Sequence, residues 1–160
     1  MFALAIAAAL ALAFAVAVAG AQTAIACSPG PTTIGGQPAE VFCGPARATV
    51  HVAGQTLHFT GGTCTKAFSE LIANIGTEIL TRATVQTQPY FAANLPLSQG
   101  RKGPKAPTVS WASGNSHGTT ALVALQGPPV KYTLSPSLNS ATFQGVTYPD
   151  KRVFSGTLSC

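Results

Sequence analysis

The stretch RATVHVAGQTLHFT, residues 47–60, decides the fold. Apolar and polar side chains alternate on both sides of Ala53-Gly54, a dipeptide suited to a two-residue hairpin turn. Successive side chains of a strand point to opposite faces. In that register Ala48, Val50 and Val52 share a face with Leu57 and Phe59, while Thr49, His51, Thr56 and His58 take the other. One apolar face and one polar face are what a half-buried antiparallel sheet requires.

Outward from this hairpin the pattern continues as short strands. Gly61-Gly62 allows a bend into Thr63–Lys66. In FSELIANIGTEIL (68–80), Phe68, Leu71, Ile72 and Ile75 fit helical spacing, whereas Gly76, Thr77 and the β-branched residues favour a strand. Strand is the expectation for its second half. Val85–Tyr90 reads as a further strand, and residues 95–107 as a basic loop broken by Pro and Gly. Thr108–Ala112, Thr119–Leu125, Val130–Leu134, Ser140–Gln144 and Val153–Leu158 complete the series, separated by turn-forming residues. Strands at this spacing, without a long helix, indicate an all-β fold: an antiparallel β-sandwich or a partly open barrel.

Toward the N-terminus the character changes. Residues 1–19 (MFALAIAAALALAFAVAVA) are apolar throughout, and two small-residue sites, Ala19-Gly20-Ala21 and Ala24-Ile25-Ala26, follow at once. That combination reads as a signal helix with its cleavage region, spanning 1–26, although no Lys or Arg precedes the apolar run. A retained membrane anchor is the alternative. Residues 27–46 (CSPGPTTIGGQPAEVFCGPA) are rich in Pro, Gly and Thr and read as a tether or cap, leaving 47–160 as one β domain. All nine basic and four acidic side chains lie after the leader, giving a net charge of +5. Low charge with recurrent Val, Leu, Ile and Phe suits an extracellular β protein rather than a disordered tail. Cys27, Cys43, Cys64 and Cys160 also follow the leader. An even count in an exported chain predicts disulfides, with three pairings open. Without a C-x-x-C spacing, zinc is not expected.

Three stretches, ATVHVAGQTLHFTGGTC (48–64), FSELIANIGT (68–77) and FSGTLSC (154–160), together resemble the mycobacterial lipoprotein antigen family of exported β proteins. The resemblance covers residues 47–160. It implies a location and a fold, no reaction, and a Cys64–Cys160 pair. A bridge between the first hairpin and the chain end would also hold a terminal strand against fraying. In the chain-entropy model so long a loop is worth on the order of 4 kcal/mol. Cys27 and Cys43 then remain to pair with each other. The family's lipidation signal points the other way, to a lipid on Cys27. Here Ala24-Ile25-Ala26 precedes Cys27 without the usual Leu, and lipidation would leave Cys43 as an odd thiol. The Cys27–Cys43 bridge is the expectation and lipidation of Cys27 the alternative.

Candidate sites are few. His51 and His58 fall as diagonal neighbours on the polar face of the first hairpin, but zinc takes at least three protein ligands, and they read as solvated strand residues. Ser113, Ser116 and His117 lie in WASGNSHGTT (111–120) without a G-x-S-x-G elbow, so a polar turn is the reading there. The acids Glu40, Glu70, Glu78 and Asp150 are scattered, and nothing places Glu70 and Glu78 across a cleft. Trp111 alternates with Val109 and is assigned to the core. Arg101, Lys102 and Lys105 form a basic surface loop suited to an anionic cell-envelope polymer or lipid headgroups. Nucleic acid is not expected, since no aromatic residues interleave these bases. No catalytic residue, metal or cofactor is assigned. The expectation is an exported, non-enzymatic domain, extracellular or at the cell surface, acting as an interaction module. The alternative is a carrier of a small apolar ligand between the sheets.

Overall fold

The computed structural model describes residues 27–80, 88–97, 107–113, 120–122, 130–147 and 151–160. Residues 1–26, expected as a signal helix, lie outside them, as do Arg101, Lys102, Lys105, Ser116, His117 and Asp150. Among the described residues the elements are twelve strands: β1 Gly30–Ile34, β2 Gln37–Phe42, β3 Arg47–Val52, β4 Gln55–Thr60, β5 Gly62–Ala67, β6 Glu70–Ile79, β7 Pro89–Pro96, β8 Thr108–Ser113, β9 Thr120–Leu122, β10 Lys131–Leu134, β11 Ser140–Val146 and β12 Val153–Ser159.

Two antiparallel sheets pack face to face and are not closed into a barrel, so the fold is the sandwich of the two expected architectures. The smaller has the order β10-β11-β12-β3-β4. The larger runs β1-β2-β6-β7-β8-β9, with β5 also paired to β6. Strand β6 is long enough to share one edge between two partners: β5 pairs with residues 70–75 and β2 with residues 76–79. The junction falls at Gly76, whose φ of 89° and contact with the Pro89 carbonyl leave no room for a side chain.

The first hairpin takes the expected register. Ala48 faces Phe59, Val50 faces Leu57, Thr49 faces His58 and His51 faces Thr56. Ala53 and Gly54 both take positive φ, as the tight turn needs. Three expectations are corrected. Residues 27–46 are more than a tether or cap to the β domain: β1 and β2 form a hairpin that joins the larger sheet through β6. Strand β6 begins at Glu70 rather than in the second half of 68–80, because Leu71, Ala73 and Ile75 bury one face at period two. Of the strand expected at Val85–Tyr90, residues 85–87 lie outside the described residues; its end belongs to β7, which runs beyond Tyr90 to Pro96 with Phe91, Ala93 and Leu95 buried.

Inward side chains of both sheets make one core. Ala48, Val50, Phe59, Ala141, Phe143, Phe154 and Leu158 come from the smaller sheet, and Leu71, Ala73, Ile75, Phe91, Ala93, Leu95, Val109 and Trp111 from the larger. Rings cross the interlayer: Phe91 lies 5.7 Å from both Phe59 and Phe143, and Trp111 lies 4.9 Å from Phe154. Such offset contacts add to the burial of the rings themselves. Gly156 fits opposite Phe143 because a Cβ there would strike that ring and the Thr49 carbonyl. Cys64 on β5 and Cys160 after β12 form a disulfide that ties the larger sheet to the smaller, with Cα atoms 5.6 Å apart. A Cys27–Cys43 bridge, Cα atoms 5.8 Å apart, closes the open end of the β1–β2 hairpin.

Candidate functional site

The outer faces of the two sheets differ in what they offer a ligand. On the smaller sheet the register aligns polar side chains from all five strands into rows. One row runs Thr133, Thr142, Thr157, Thr49, His58. The next, two residues along each strand, runs Lys131, Gln144, Ser155, His51, Thr56. Strand spacing sets neighbours in a row about 4.8 Å apart, and successive rows about 6.8 Å apart. The strands alternate without interruption; in β12 Phe154, Gly156 and Leu158 are buried while Ser155, Thr157 and Ser159 are exposed. Thr, with its β-branch, suits such exposed strand positions and leaves its hydroxyl outward.

The two histidines are oriented by this array. His58 Nδ1 lies 3.3 Å from the Thr49 hydroxyl, and His51 Nδ1 lies 3.0 Å from that of Thr56. Each ring is therefore held by the threonine directly opposite, on the adjacent strand. Beside His51 the face dips into a shallow trough of about 520 Å³, lined by Lys131, Thr133, Thr142, Gln144, Ser155 and Thr157 among others. No Asp or Glu occurs in any of the five strands, while Arg47, Lys131, His51 and His58 do. Arg47 and Lys131 are both exposed.

All three described carboxylates, Glu40, Glu70 and Glu78, belong to the larger sheet. Glu70 and Glu78 lie eight residues apart on one strand, a separation of about 26 Å. Paired carboxylates of glycoside hydrolysis stand about 5–9.5 Å apart, so these two cannot act on one bond. The register instead sets Glu40 directly opposite Glu78, a pair that residue order does not reveal. Tyr90 covers this point. Its hydroxyl lies 2.9 Å from Asn74 Oδ1 and 3.1 Å from Glu78 Oε2, and its ring stacks on Phe42 at 6.0 Å. Burial, and next the Glu78 charge, push the phenol well above its ordinary range, so Tyr90 stays a proton donor.

At one end of the sandwich the β5–β6 turn exposes Phe68 at 87% of its surface, with Phe68 and Ser69 both at positive φ. The Ser69 carbonyl accepts the Leu97 amide at 2.8 Å, and Lys66 Nζ donates to the Ser137 carbonyl at 3.1 Å. These contacts join the turn to the end of β7 and to the β10–β11 connection.

Trp111 and Val109 are buried as expected. Ser113 ends β8, paired in register with Pro89, away from the described histidines on the smaller sheet. Its expected neighbours Ser116 and His117, and the basic loop of Arg101, Lys102 and Lys105, lie outside the described residues. Among the described residues no three His, Cys, Asp or Glu side chains converge. The Cys27 sulfur is bonded to Cys43, and a lipid thioether would need that same atom, so bridge and lipid exclude each other. The alternation at 47–60 reveals the two faces of β3 and β4; the assembly into rows depends on long-range pairing of β12 with β3. No family model, curated protein or solved structure matches the chain.

Proposed function

We propose that the chain is an exported, non-enzymatic interaction domain of the cell surface or its exterior, as its resemblance to the lipoprotein antigens implies. The observation that supports this most is the pair of disulfides, because such bridges persist in oxidising compartments. An apolar leader precedes them in the sequence. The sandwich serves as a scaffold, and its surface meets an anionic envelope component. The basic loop of Arg101, Lys102 and Lys105 supplies three cations toward such a partner.

Intact mass of the mature protein from its native host, with thiol labelling before and after reduction, tests the export half of the reading. The expected product starts at Gln22 or Cys27 and takes up four labels only after reduction. A mass raised by a diacylglyceryl group, with Cys43 labelled beforehand, would replace free export by anchoring through Cys27. Recovery of the uncleaved chain from the cytoplasm with four free thiols would end the proposal. Sedimentation with isolated envelope tests the other half: binding that salt weakens is expected, and indifference to envelope at every salt concentration would refute an interaction role.

A further inference from the structure

We propose that the outer face of the five-stranded sheet is a binding surface for an acidic polysaccharide, one bearing carboxylates at intervals along a hydroxyl-rich chain. This rests on the interaction-module reading and names the surface and ligand class that it leaves open.

Four observations converge on this face. It is extended and regular, since five strands set side by side span about 19 Å between the outermost side chains of a row. It is covered with groups that both donate and accept hydrogen bonds: the hydroxyls of Thr49, Thr133, Thr142, Ser155 and Thr157, and the amide of Gln144. A sugar hydroxyl needs such two-way partners. The trough beside His51 gives the face a concavity that a polymer can follow. Finally, its charge is of one sign: the five strands carry Arg47 and Lys131 without any Asp or Glu, and the described carboxylates all belong to the other sheet.

The charge density selects among anionic polymers. Two exposed cations in a field of neutral hydroxyls match a uronate chain, whose carboxylates are interspersed with more numerous sugar hydroxyls. They match a nucleic acid poorly, which presents a charge at every phosphate and rewards aromatic stacking platforms. The one tyrosine at the trough, Tyr132, is tied through its hydroxyl to the Pro96 carbonyl of the larger sheet at 2.7 Å. In the bound state Lys131 and Arg47 would meet carboxylates, while the threonine rows exchange water for sugar hydroxyls. Because the scaffold is rigid antiparallel sheet, the rows need no ordering on binding.

The test uses the full disulfide-bonded chain in affinity electrophoresis through gels containing polygalacturonate, with neutral dextran and duplex DNA as the other matrices. Polygalacturonate should retard the protein, dextran should not, and added salt should relieve the retardation. The double variant Arg47→Glu, Lys131→Glu should weaken the apparent affinity by about tenfold or more. Thr142→Glu, which places a carboxylate in the trough, is a second variant should the first fail to fold; it too should lose binding. Thr65→Glu, the same charge change as Thr142→Glu at an exposed position of the larger sheet, should bind polygalacturonate as before. Unaltered binding by folded sheet variants, an equal loss in Thr65→Glu, stronger retardation by DNA, or no retardation by polygalacturonate would each overturn the assignment. If envelope binding survives while the sheet variants match the parent, the interaction module stands and only this surface falls.

Discussion

The two sheets of one sandwich solve different problems. In the five-stranded sheet inward and outward positions separate cleanly: Phe154 and Leu158 are buried, and Ser155 and Thr157 between them are exposed. In the seven-stranded sheet the outward side is itself partly covered. Tyr90, Asn74, Ile72 and Asn94 are half-buried, and Glu70 and Ala112 are buried although they point away from the shared core. A face that is covered must satisfy its polar groups internally, as Tyr90 does with Asn74 and Glu78. A face left to water keeps its hydroxyls for other partners. Polar residues therefore serve structure on one sheet and remain available for recognition on the other.

The largest expected effect comes from uncoupling the sheets. Cys64→Ser with Cys160→Ser removes the bridge between them and opens a loop of sequence separation 96. Urea unfolding should show a loss of about 4.7 kcal/mol, against about 3 kcal/mol for removing Cys27–Cys43, whose separation is 16. Equal losses would mean that the longer loop confers no added stability. Next is Gly156→Ala, which drives a Cβ into the Thr49 carbonyl and the Phe143 ring. Overpacking of this kind costs about 2 kcal/mol. A stability unchanged in urea would show that β12 and β3 can separate without penalty.

These two sites also mark what could be read in advance. The alternation at 47–60 and 153–158 reveals the buried faces, because one period of two is written into each strand. The pairing of β12 with β3 is not written locally: it joins residues about a hundred positions apart, and it alone lines Thr157 up with Thr49. In PYFAANLP (89–96) the small Ala92 and the polar Asn94 offer weak contrast to the buried Ala93 between them, and the expectation, ending at Tyr90, reaches only the first two residues of β7. Glu40 and Glu78 likewise meet only through register.

The covered face should reveal itself at alkaline pH. The ordinary tyrosine value is 10.0, and the folded state holds the Tyr90 phenol well above it. Below pH 10 both states keep the proton and the contribution is intact. Above it the unfolded chain releases a proton that the native state retains, so stability falls as pH rises, by at most about 1.4 kcal/mol per pH unit. Tyr90→Phe should flatten that decline relative to the parent, leaving the smaller share from Tyr132, whose burial raises it in the same direction. Parallel alkaline slopes for parent and variant would mean that Tyr90 ionises freely in the folded protein.

The smallest effects separate the faces most directly. Asn74→Ala leaves the partly buried Tyr90 hydroxyl with Glu78 as its one remaining partner, and it should cost about 1 kcal/mol. Thr157→Ala, at an exposed position in the middle of the threonine row, should change stability by no more than about 0.5 kcal/mol. The same truncation to alanine thus tests whether a polar side chain is a structural partner or a free surface group. Both variants can be followed in one set of thermal melts. A Thr157 variant as unstable as the Asn74 variant would mean that the threonine rows support the sheet, and the contrast between a structural and an open face would not hold.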